Sequence, residues 1–316
     1  MSLRFIAVGA CLVLLTGTVR ANDDFAYVRD AATSLREGSV VVDTRPVEAC
    51  KLRSLAGAIC LPAADFLGPH RRLPGERDLL WLLGTAGLKG DETVLVVGQD
   101  ATARDFVAGL LYLSGQRNLR VLTDPIGRLL QGGIATEAGR ERGFTRKLVF
   151  EAPMRDELVV LRDELRTMNP SPMLLDGRAE AEYWGEVARS TRSGHLPGAV
   201  SLPGLTLRAA LGTPTTRPVL PEGEPVAYGH DAYEGLAYLT LLTAGYGVPA
   251  RLYLAGWAEW AADGALPVDA AAYPEQAAVR PAEAIPVVPQ YGMAIAGILA
   301  LAAFAAGWWL KRRRTS

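Results

Sequence analysis

The chain repeats one pattern of short apolar segments, and this repeat restricts its fold more than any other feature. "VVVDTRPVEA" (residues 40–49) and "MLLDGRAEAE" (residues 173–182) each end an apolar run in Asp-x-Arg before an acidic, helix-like stretch. Three further pairs follow in the same order: "LAGAICLP" with "LPGAVSLP", "ETVLVVGQDATARDFVAGLLYLSG" with "EPVAYGHDAYEGLAYLTLLTAGYG", and "LRVLTD" with "ARLYLAGWAEW". An ordered repeat of this length predicts two copies of one structural unit.

Each copy alternates short apolar strands with helical patterns. The strands "VVVD", "VLVV", "MLLD" and "PVAY" are apolar throughout, as expected for strands that are buried on both faces. The pattern therefore predicts an α/β protein with two domains, each a parallel sheet with helices on both faces. We expect the domains at residues 22–138 and 158–268, with a charged linker at residues 139–157.

The two ends of the chain carry targeting signals. Residues 1–21 combine Arg4, a short apolar run and small residues near the end, which predicts a cleaved secretory signal peptide. Residues 290–310 are predominantly apolar and long enough as a helix to cross a bilayer core of about 30 Å. The basic residues 311–316 should then remain cytoplasmic.

These signals predict a cell-envelope protein. Its domains would be periplasmic or extracytoplasmic, and the C-terminal transmembrane helix would anchor them to the inner membrane through an Ala/Pro-rich tether at residues 269–289. Ile285-Pro286 before the span also resembles a C-terminal sorting signal, so a surface protein with a processed tail is an alternative. The net charge of −1 supplies no field that would attract nucleic acid.

Three motifs of the second copy resemble one family. "LLDGRAEAEYWG" (residues 174–185), "SGHLPGAVSLP" (residues 193–203) and "LYLAGWAEW" (residues 252–260) are similar to the motifs of tandem rhodanese-like proteins in the sulfurtransferase superfamily. The resemblance extends over residues 24–268. The first copy is more degenerate, because its turn "RSLAGA" (residues 53–58) lacks the His and Pro of the motif.

The resemblance implies a persulfide chemistry. In active members a Cys begins a six-residue loop between a strand and a helix, and loop amides stabilise the Cys–S–S⁻ anion. Carried over to this chain, the Cys positions are Gln99, or Gly98 if the match shifts by one residue, and Gly229. Neither loop contains a thiol, so the resemblance assigns no catalytic residue and indicates an inactive homologue.

The remaining loop residues are the candidates for loop-mediated anion binding. Asp231 and Glu234 would repel thiosulfate or sulfite, but acidic residues suit a helix N-terminus. Arg104 is either a ligand for a small anion or a solvated surface residue. The full set is Asp100, Ala101, Thr102, Ala103 and Arg104 in the first copy, and His230, Asp231, Ala232, Tyr233 and Glu234 in the second.

Only two cysteines remain after signal cleavage. Cys50 and Cys60 either form one disulfide, as an oxidising compartment favours, or are two small buried apolar side chains. The Asp-x-Arg residues, Asp176 with Arg178 in the second copy, are expected to form a local ion pair in each copy.

Two functions follow from these observations. The first is a non-catalytic binding or regulatory module, whose partner would be an unknown envelope protein or a small anionic sulfur ligand. The alternative is an active sulfurtransferase, acting on thiosulfate or a persulfide, that uses Cys50 or Cys60 as a relocated nucleophile. No cofactor and no metal site are predicted, because the chain has no dinucleotide or phosphate-loop fingerprint and no metal-ligand spacing.

Overall fold

The computed structural model describes residues 24–211 and 218–270. Its strands are β1 (Phe25–Val28), β2 (Val40–Asp43), β3 (Ser54–Leu55), β4 (Ile59–Cys60), β5 (Thr93–Val97), β6 (Asn118–Leu122), β7 (Thr136–Glu137), β8 (Arg140–Glu141), β9 (Val159–Val160), β10 (Leu174–Asp176), β11 (Val200–Ser201), β12 (Val226–Tyr228) and β13 (Arg251–Tyr253).

The helices alternate with these strands. They are α1 (Ala31–Arg36), α2 (Val47–Leu52), α3 (Glu76–Ala86), α4 (Ala101–Leu113), α5 (Ile126–Gln131), α6 (Arg162–Thr167), α7 (Glu180–Tyr183), α8 (Gly204–Ala210), α9 (Ala232–Thr240) and α10 (Gly256–Ala262). Short 3-10 turns occur at Ala63–Phe66, Pro69–Arg71 and Asp156–Leu158, and a π-turn at Leu241–Gly245 continues α9.

Two parallel sheets form the framework, and their strands have the same order. The first sheet is ordered β1-β6-β5-β2-β4-β8 and the second β9-β13-β12-β10-β11. All pairings within both sheets are parallel. Corresponding strands of the two sequence copies thus occupy corresponding positions in the two sheets. This confirms the α/β fold with parallel sheets and flanking helices.

The segment predicted to be a linker, residues 139–157, contributes to the first half. Its strand β8 pairs with β4, and Phe150 is buried in the apolar cluster of the first sheet. A strand of two residues is too short to show an alternating pattern in the sequence, and the segment around it is rich in charged residues. These features explain why the segment resembles a connector in the sequence.

Helices α4 and α9 join the two halves. They pack so closely that a Cβ on Gly109 of α4 would collide with the carbonyl oxygen of Leu236 and the hydroxyl of Thr240 in α9. Thr240 also donates to the carbonyl of Asp105 at 2.8 Å. One apolar cluster includes side chains of both helices, such as Phe106 and Leu236, so the halves share a continuous core.

A buried carboxylate strengthens this junction. Asp105 is fully buried and accepts hydrogen bonds from Tyr27 at 2.6 Å and from Arg104 at 2.9 Å. It is also ion-paired with Arg208 of α8, which belongs to the other half of the chain. Because desolvation offsets much of the attraction in such a buried ion group, its main consequence is that removing one partner would leave an uncompensated charge.

None of the helices within residues 24–211 and 218–270 is both long and apolar enough to cross a bilayer. The predicted signal peptide (residues 1–21), transmembrane helix (290–310) and basic tail (311–316) all lie outside the described residues. Of the predicted tether (269–289), only the first two residues are described.

Candidate functional site

The candidate site lies where β5 and β12 end, at the edge at which ligands bind in open parallel sheets. The strand register relates the two loops to each other. Val97 pairs with Asp43, and Tyr228 pairs with the corresponding Asp176, so the residues that follow, Gly98 and Gly229, are equivalent. Of the two predicted positions for the first Cys, this register favours Gly98 over Gln99, and Gln99 becomes the counterpart of His230.

Both loops end in an aspartate that caps the following helix. The side chain of Asp100 accepts from the N–H of Ala103 at 2.7 Å, and that of Asp231 accepts from the N–H of Glu234 at 3.1 Å. Such a cap satisfies a backbone donor that the first helical turn leaves free. Ala101 and Ala232 are the first residues of α4 and α9.

The two glycines leave no room for a side chain. An ideal Cβ on Gly229 would lie 2.6 Å from the nitrogen of Gly235, and 2.8 Å and 2.9 Å from the carbonyl carbon and Cβ of Glu234. A Cβ on Gly98 would collide with the hydroxyl oxygen of Thr44 and lie 3.2 Å from the Cβ of Arg104. The loops are therefore closed over the positions that a nucleophile would need.

Two backbone hydrogen bonds from α10 hold the second loop. The carbonyl oxygen of Gly229 accepts from the N–H of Trp257 at 3.0 Å, and that of His230 accepts from the N–H of Ala258 at 2.8 Å. Gly256 has a φ of 63° and lies against both carbonyls, where a Cβ would collide with them. Only glycine adopts this conformation without cost at so close an approach.

Three backbone N–H groups in and beside the second loop donate to oxygens of the chain itself. His230 N–H faces the carboxylate of Glu234 at 3.4 Å, Glu234 N–H donates to the Asp231 carboxylate, and Gly235 N–H donates to the Asp231 carbonyl at 2.8 Å. The cradle that the resemblance assigns to a persulfide anion thus holds two carboxylates of the chain.

Arg189 fixes one of these carboxylates in place. Its guanidinium makes a two-pronged contact with Glu234 at 2.6 and 2.8 Å, and its Nε donates to Glu182 at 2.7 Å. Burial alone would raise the pKa of Glu234, but the hydrogen bonds from Arg189 outweigh it and hold the pKa below its usual range. The sequence pattern did not identify Arg189 or Glu182.

His230 is next to this ion network but does not join it through a hydrogen bond. Its Nδ1 is buried without a hydrogen-bond partner in the described part of the chain, and the nearest Glu182 oxygen is 3.9 Å away. Burial, together with the charge of Arg189, lowers the pKa of His230 below its ordinary value of 6.5. The imidazole is therefore neutral at pH 7.

Arg104 neither faces an anion site nor lies on the solvated surface, in contrast to both predicted roles. It lies inside α4, one residue past the loop, and is 2% exposed. Its guanidinium contacts Asp105 at 2.9 Å and donates to the carbonyl of Thr123 at 3.0 Å. The side chain is directed into the junction of the two halves, because the buried Asp105 requires a cation there.

A cleft of about 770 Å³ opens in front of the second loop. Thr102, Tyr233 and residues after β10 and β11 contribute to its wall. Its charged lining residues are four acids, Asp100, Glu180, Glu182 and Glu234, and three bases, Arg178, Arg189 and Arg208. Each of these arginines is already paired with a carboxylate of the chain.

The Asp-x-Arg residues stabilise the strand ends, as predicted. Arg45 contacts Asp43 at 2.6 Å, and Arg178 forms the corresponding pair with Asp176. Asp176 also accepts from the Tyr228 hydroxyl at 2.7 Å, which ties β10 to β12 beside the loop. His195 of the Gly-His-Leu-Pro-Gly turn is likewise structural, since it stacks on a tyrosine ring at 3.7 Å and bonds to that residue's carbonyl.

The structure joins Cys50 and Cys60 in a disulfide, with Cα atoms 5.7 Å apart. Both residues are completely buried and lie against Gly139, where a Cβ would collide with Cys50 Sγ. Of the two alternatives that the sequence left open, the covalent one is therefore present. Within the described residues no three His, Cys, Asp or Glu side chains cluster as metal ligands would.

Comparisons with known proteins agree with this geometry. Residues 160–263 match the family model described as the rhodanese-like domain. Over 215 residues the chain is 26% identical to the "Putative thiosulfate sulfurtransferase" of Synechococcus elongatus, covering 65% of this chain and 66% of that relative. The chain thus spans slightly less than two thirds of the relative's length.

Solved structures have the same fold. The "Crystal Structure of Probable Thiosulfate Sulfurtransferase" is 27% identical with a TM-score of 0.56, covering 74% of this chain and 98% of that one. YnjE is 16% identical with a TM-score of 0.64, covering 82% and 71%. The anaerobic ergothioneine biosynthesis enzyme of Chlorobium limicola is 18% identical with a TM-score of 0.62, covering 80% and 71%.

Residues 160–263 are thus similar to a rhodanese-like domain, and these relatives support the sulfurtransferase superfamily for the chain.

Proposed function

We propose that this protein is a membrane-anchored, non-catalytic tandem rhodanese-like module that binds a partner at the cleft beside its second loop. The observation that carries the proposal is the pair of glycines, Gly98 and Gly229, at the two Cys-equivalent positions. A Cβ would overlap main-chain atoms of Glu234 and Gly235 at Gly229 and the Thr44 hydroxyl at Gly98, so a thiol at either position would require its surroundings to shift.

The amide environment of the second loop supports the same proposal. A persulfide needs free N–H donors at the helix N-terminus, whereas two of these N–H groups are directed at the carboxylates of Asp231 and Glu234 here. A rhodanese-like fold can keep its sheet while its site changes use, since function depends on the site and not on the framework.

The alternative is an active sulfurtransferase with a relocated nucleophile, and the names of two relatives favour it. Such an enzyme would need the thiolate of Cys50 or Cys60. In this structure both sulfurs are bonded to each other and inaccessible to solvent. A disulfide can be reduced, so this alternative is decided by assay.

The assay measures thiosulfate:cyanide sulfur transfer by the full-length protein, with and without reductant. The matched control is the Cys50→Ser/Cys60→Ser variant, which has no thiol in the described chain. We expect the two proteins to give equal rates at the uncatalysed background. Turnover in the reduced wild type that disappears in the variant would establish the relocated nucleophile and refute the proposal.

The location in the envelope is tested separately. We propose that the folded domains lie outside the cytoplasm, because an N-terminal signal and a basic C-terminal tail agree on this topology. Protease added to spheroplasts should digest the domains while a cytoplasmic control protein stays intact. Protection of the domains would overturn the topology, and loss of the tail from the mature chain would favour the sorting-signal alternative.

A further inference from the structure

Arg71 has an unusual backbone conformation. Its φ is 56°, and it is the only described residue other than glycine with a positive φ. This left-handed region is costly for a residue with a Cβ, and such conformations persist where the surrounding structure enforces them, often at functional sites. The residue ends the 3-10 turn Pro69–Arg71 in the first half of the chain.

The Arg71 side chain lies against the second loop, 160 residues away in the sequence. Its guanidinium carbon is 4.4 Å from the centre of the Tyr233 ring, and Nη1 lies 3.3 Å from Oδ2 of Asp231. The other oxygen of Asp231, Oδ1, caps α9. One aromatic face and one free carboxylate oxygen thus form a site that matches a guanidinium group.

The site is built independently of its occupant. Tyr233 packs on Phe106 with the ring centres 4.9 Å apart, which fixes the aromatic face. The helix cap fixes Asp231. The Arg71 side chain, in contrast, is 49% exposed, so solvent and solutes reach it.

The charges of the adjoining cleft favour a cation over an anion. Carboxylates outnumber arginines among the lining residues, and all three arginines are already ion-paired within the chain. Two loop donors, the N–H groups of His230 and Glu234, are directed at the carboxylates of Glu234 and Asp231. An incoming sulfur oxyanion would therefore meet the negative charge of Asp231 and Glu234 at the second loop.

We propose that Tyr233 and Asp231 form a binding site for a guanidinium or alkylammonium group, and that Arg71 occupies this site until such a ligand displaces it. This inference rests on the proposed binding function and specifies its ligand class, in place of a small anionic sulfur ligand. The same chemistry is offered by a free organic cation and by an arginine-bearing segment of a protein.

The probe is methylguanidinium, and its affinity is measured by saturation-transfer NMR on the full-length protein at constant ionic strength. Arg71→Ala removes the internal competitor, and we expect it to bind the probe about tenfold more tightly than the wild type does. The matched control is Arg72→Ala, which removes a neighbouring exposed arginine that makes neither contact and should behave like the wild type.

Two variants test the site itself in the Arg71→Ala background. Asp231→Asn keeps the capping oxygen and removes the charge, so the helix should persist while the gain in affinity is lost. Tyr233→Leu removes the aromatic face and should have the same effect on binding. Circular dichroism identifies any variant that does not fold. If one of the two does not fold, the affinity of the other tests the site.

The proposal is refuted if Arg71→Ala binds methylguanidinium no more tightly than the wild type, or if both site variants retain the gain. Competition by thiosulfate at equal ionic strength would also refute it. Comparing N-acetylarginine amide with Gly-Gly-Arg-Gly-Gly then separates the two sources: equal affinities support a free cation, and a tighter pentapeptide supports a protein segment. The sulfur-transfer assay contains no organic cation ligand, so each proposal can fail without the other.

Discussion

Replacing Gly229 by alanine should destabilise the protein although it adds a single methyl group. The three nearest atoms to the added Cβ would be the nitrogen of Gly235 and the carbonyl carbon and Cβ of Glu234, at 2.6 to 2.9 Å. Two of these atoms are main chain and the third is fixed to it, so no side-chain rotation relieves the contact. The loop must move, and its bonds to Trp257 and Ala258 move with it.

The expected loss follows from the cost of overpacking a rigid site. Such insertions lower the free energy of unfolding by about 1–3 kcal/mol. For a protein of this size each kcal/mol lowers the melting temperature by about 2–4 °C. Gly98→Ala should cost less, because its closest neighbour is the hydroxyl of Thr44, which lies on a side chain and has no hydrogen-bond partner in the described chain.

Thermal unfolding followed by circular dichroism checks this order of stabilities. Gly264→Ala is the matched control, since nothing lies within 4 Å of a Cβ there and its φ is not positive; its stability should change by less than about 0.5 kcal/mol. A Gly229→Ala protein as stable as the control would show that the loop has room for a side chain. The reason given for the absence of a nucleophile would then be wrong.

Three further predictions concern the rest of the framework. Thiol counting in denaturant without reductant should find no free thiol, and Cys50→Ser/Cys60→Ser should lower the free energy of unfolding by about 2–3 kcal/mol, as for a short closed loop. Folding lowers the pKa of His230 below 6.5, so as the pH falls the unfolded chain binds a proton at this residue before the folded chain does. The free energy of unfolding should therefore fall as the pH drops below 6.5. His230→Gln should weaken this pH dependence in urea titrations. Asp105→Asn should cost about 3–5 kcal/mol in the same titrations, since it leaves buried arginine charge uncompensated.

The repeat made the framework predictable from the sequence. Two copies in the same order imply that corresponding strands occupy corresponding positions in the two sheets, and the observed strand orders agree with this. The loop position is also accessible from the sequence, which leaves Gln99 and Gly98 as alternatives for the first Cys position. The tripeptides Gly98-Gln99-Asp100 and Gly229-His230-Asp231 share Gly-x-Asp, and aligning the two capping aspartates favours Gly98.

Local sequence patterns could not predict the arginines that pair with the carboxylates of the second loop. Arg71 reaches Asp231 from the other half of the chain, and Arg189 reaches Glu234 from the segment between α7 and β11. Ion pairs over such distances leave no periodic signal. One indirect signal exists, since the second copy has a longer segment than the first between its Asp-x-Arg motif and its Gly-Ala turn. That extra segment carries Arg189.

The carboxylates of the second loop explain why a closed loop is stable where an open, anion-binding one would be expected. A helix N-terminus at the end of a parallel strand concentrates N–H donors and favours negative charge. Without a bound anion these donors would be poorly satisfied, so a loop without a thiol needs another source of negative charge. Asp231 and Glu234 supply that charge from within the chain, and Arg71 and Arg189 balance it from outside the loop. Arg189 is held by two carboxylates, whereas Arg71 contacts only one and is half exposed. The Arg71 contact is therefore the one that an external cation can replace at the least cost.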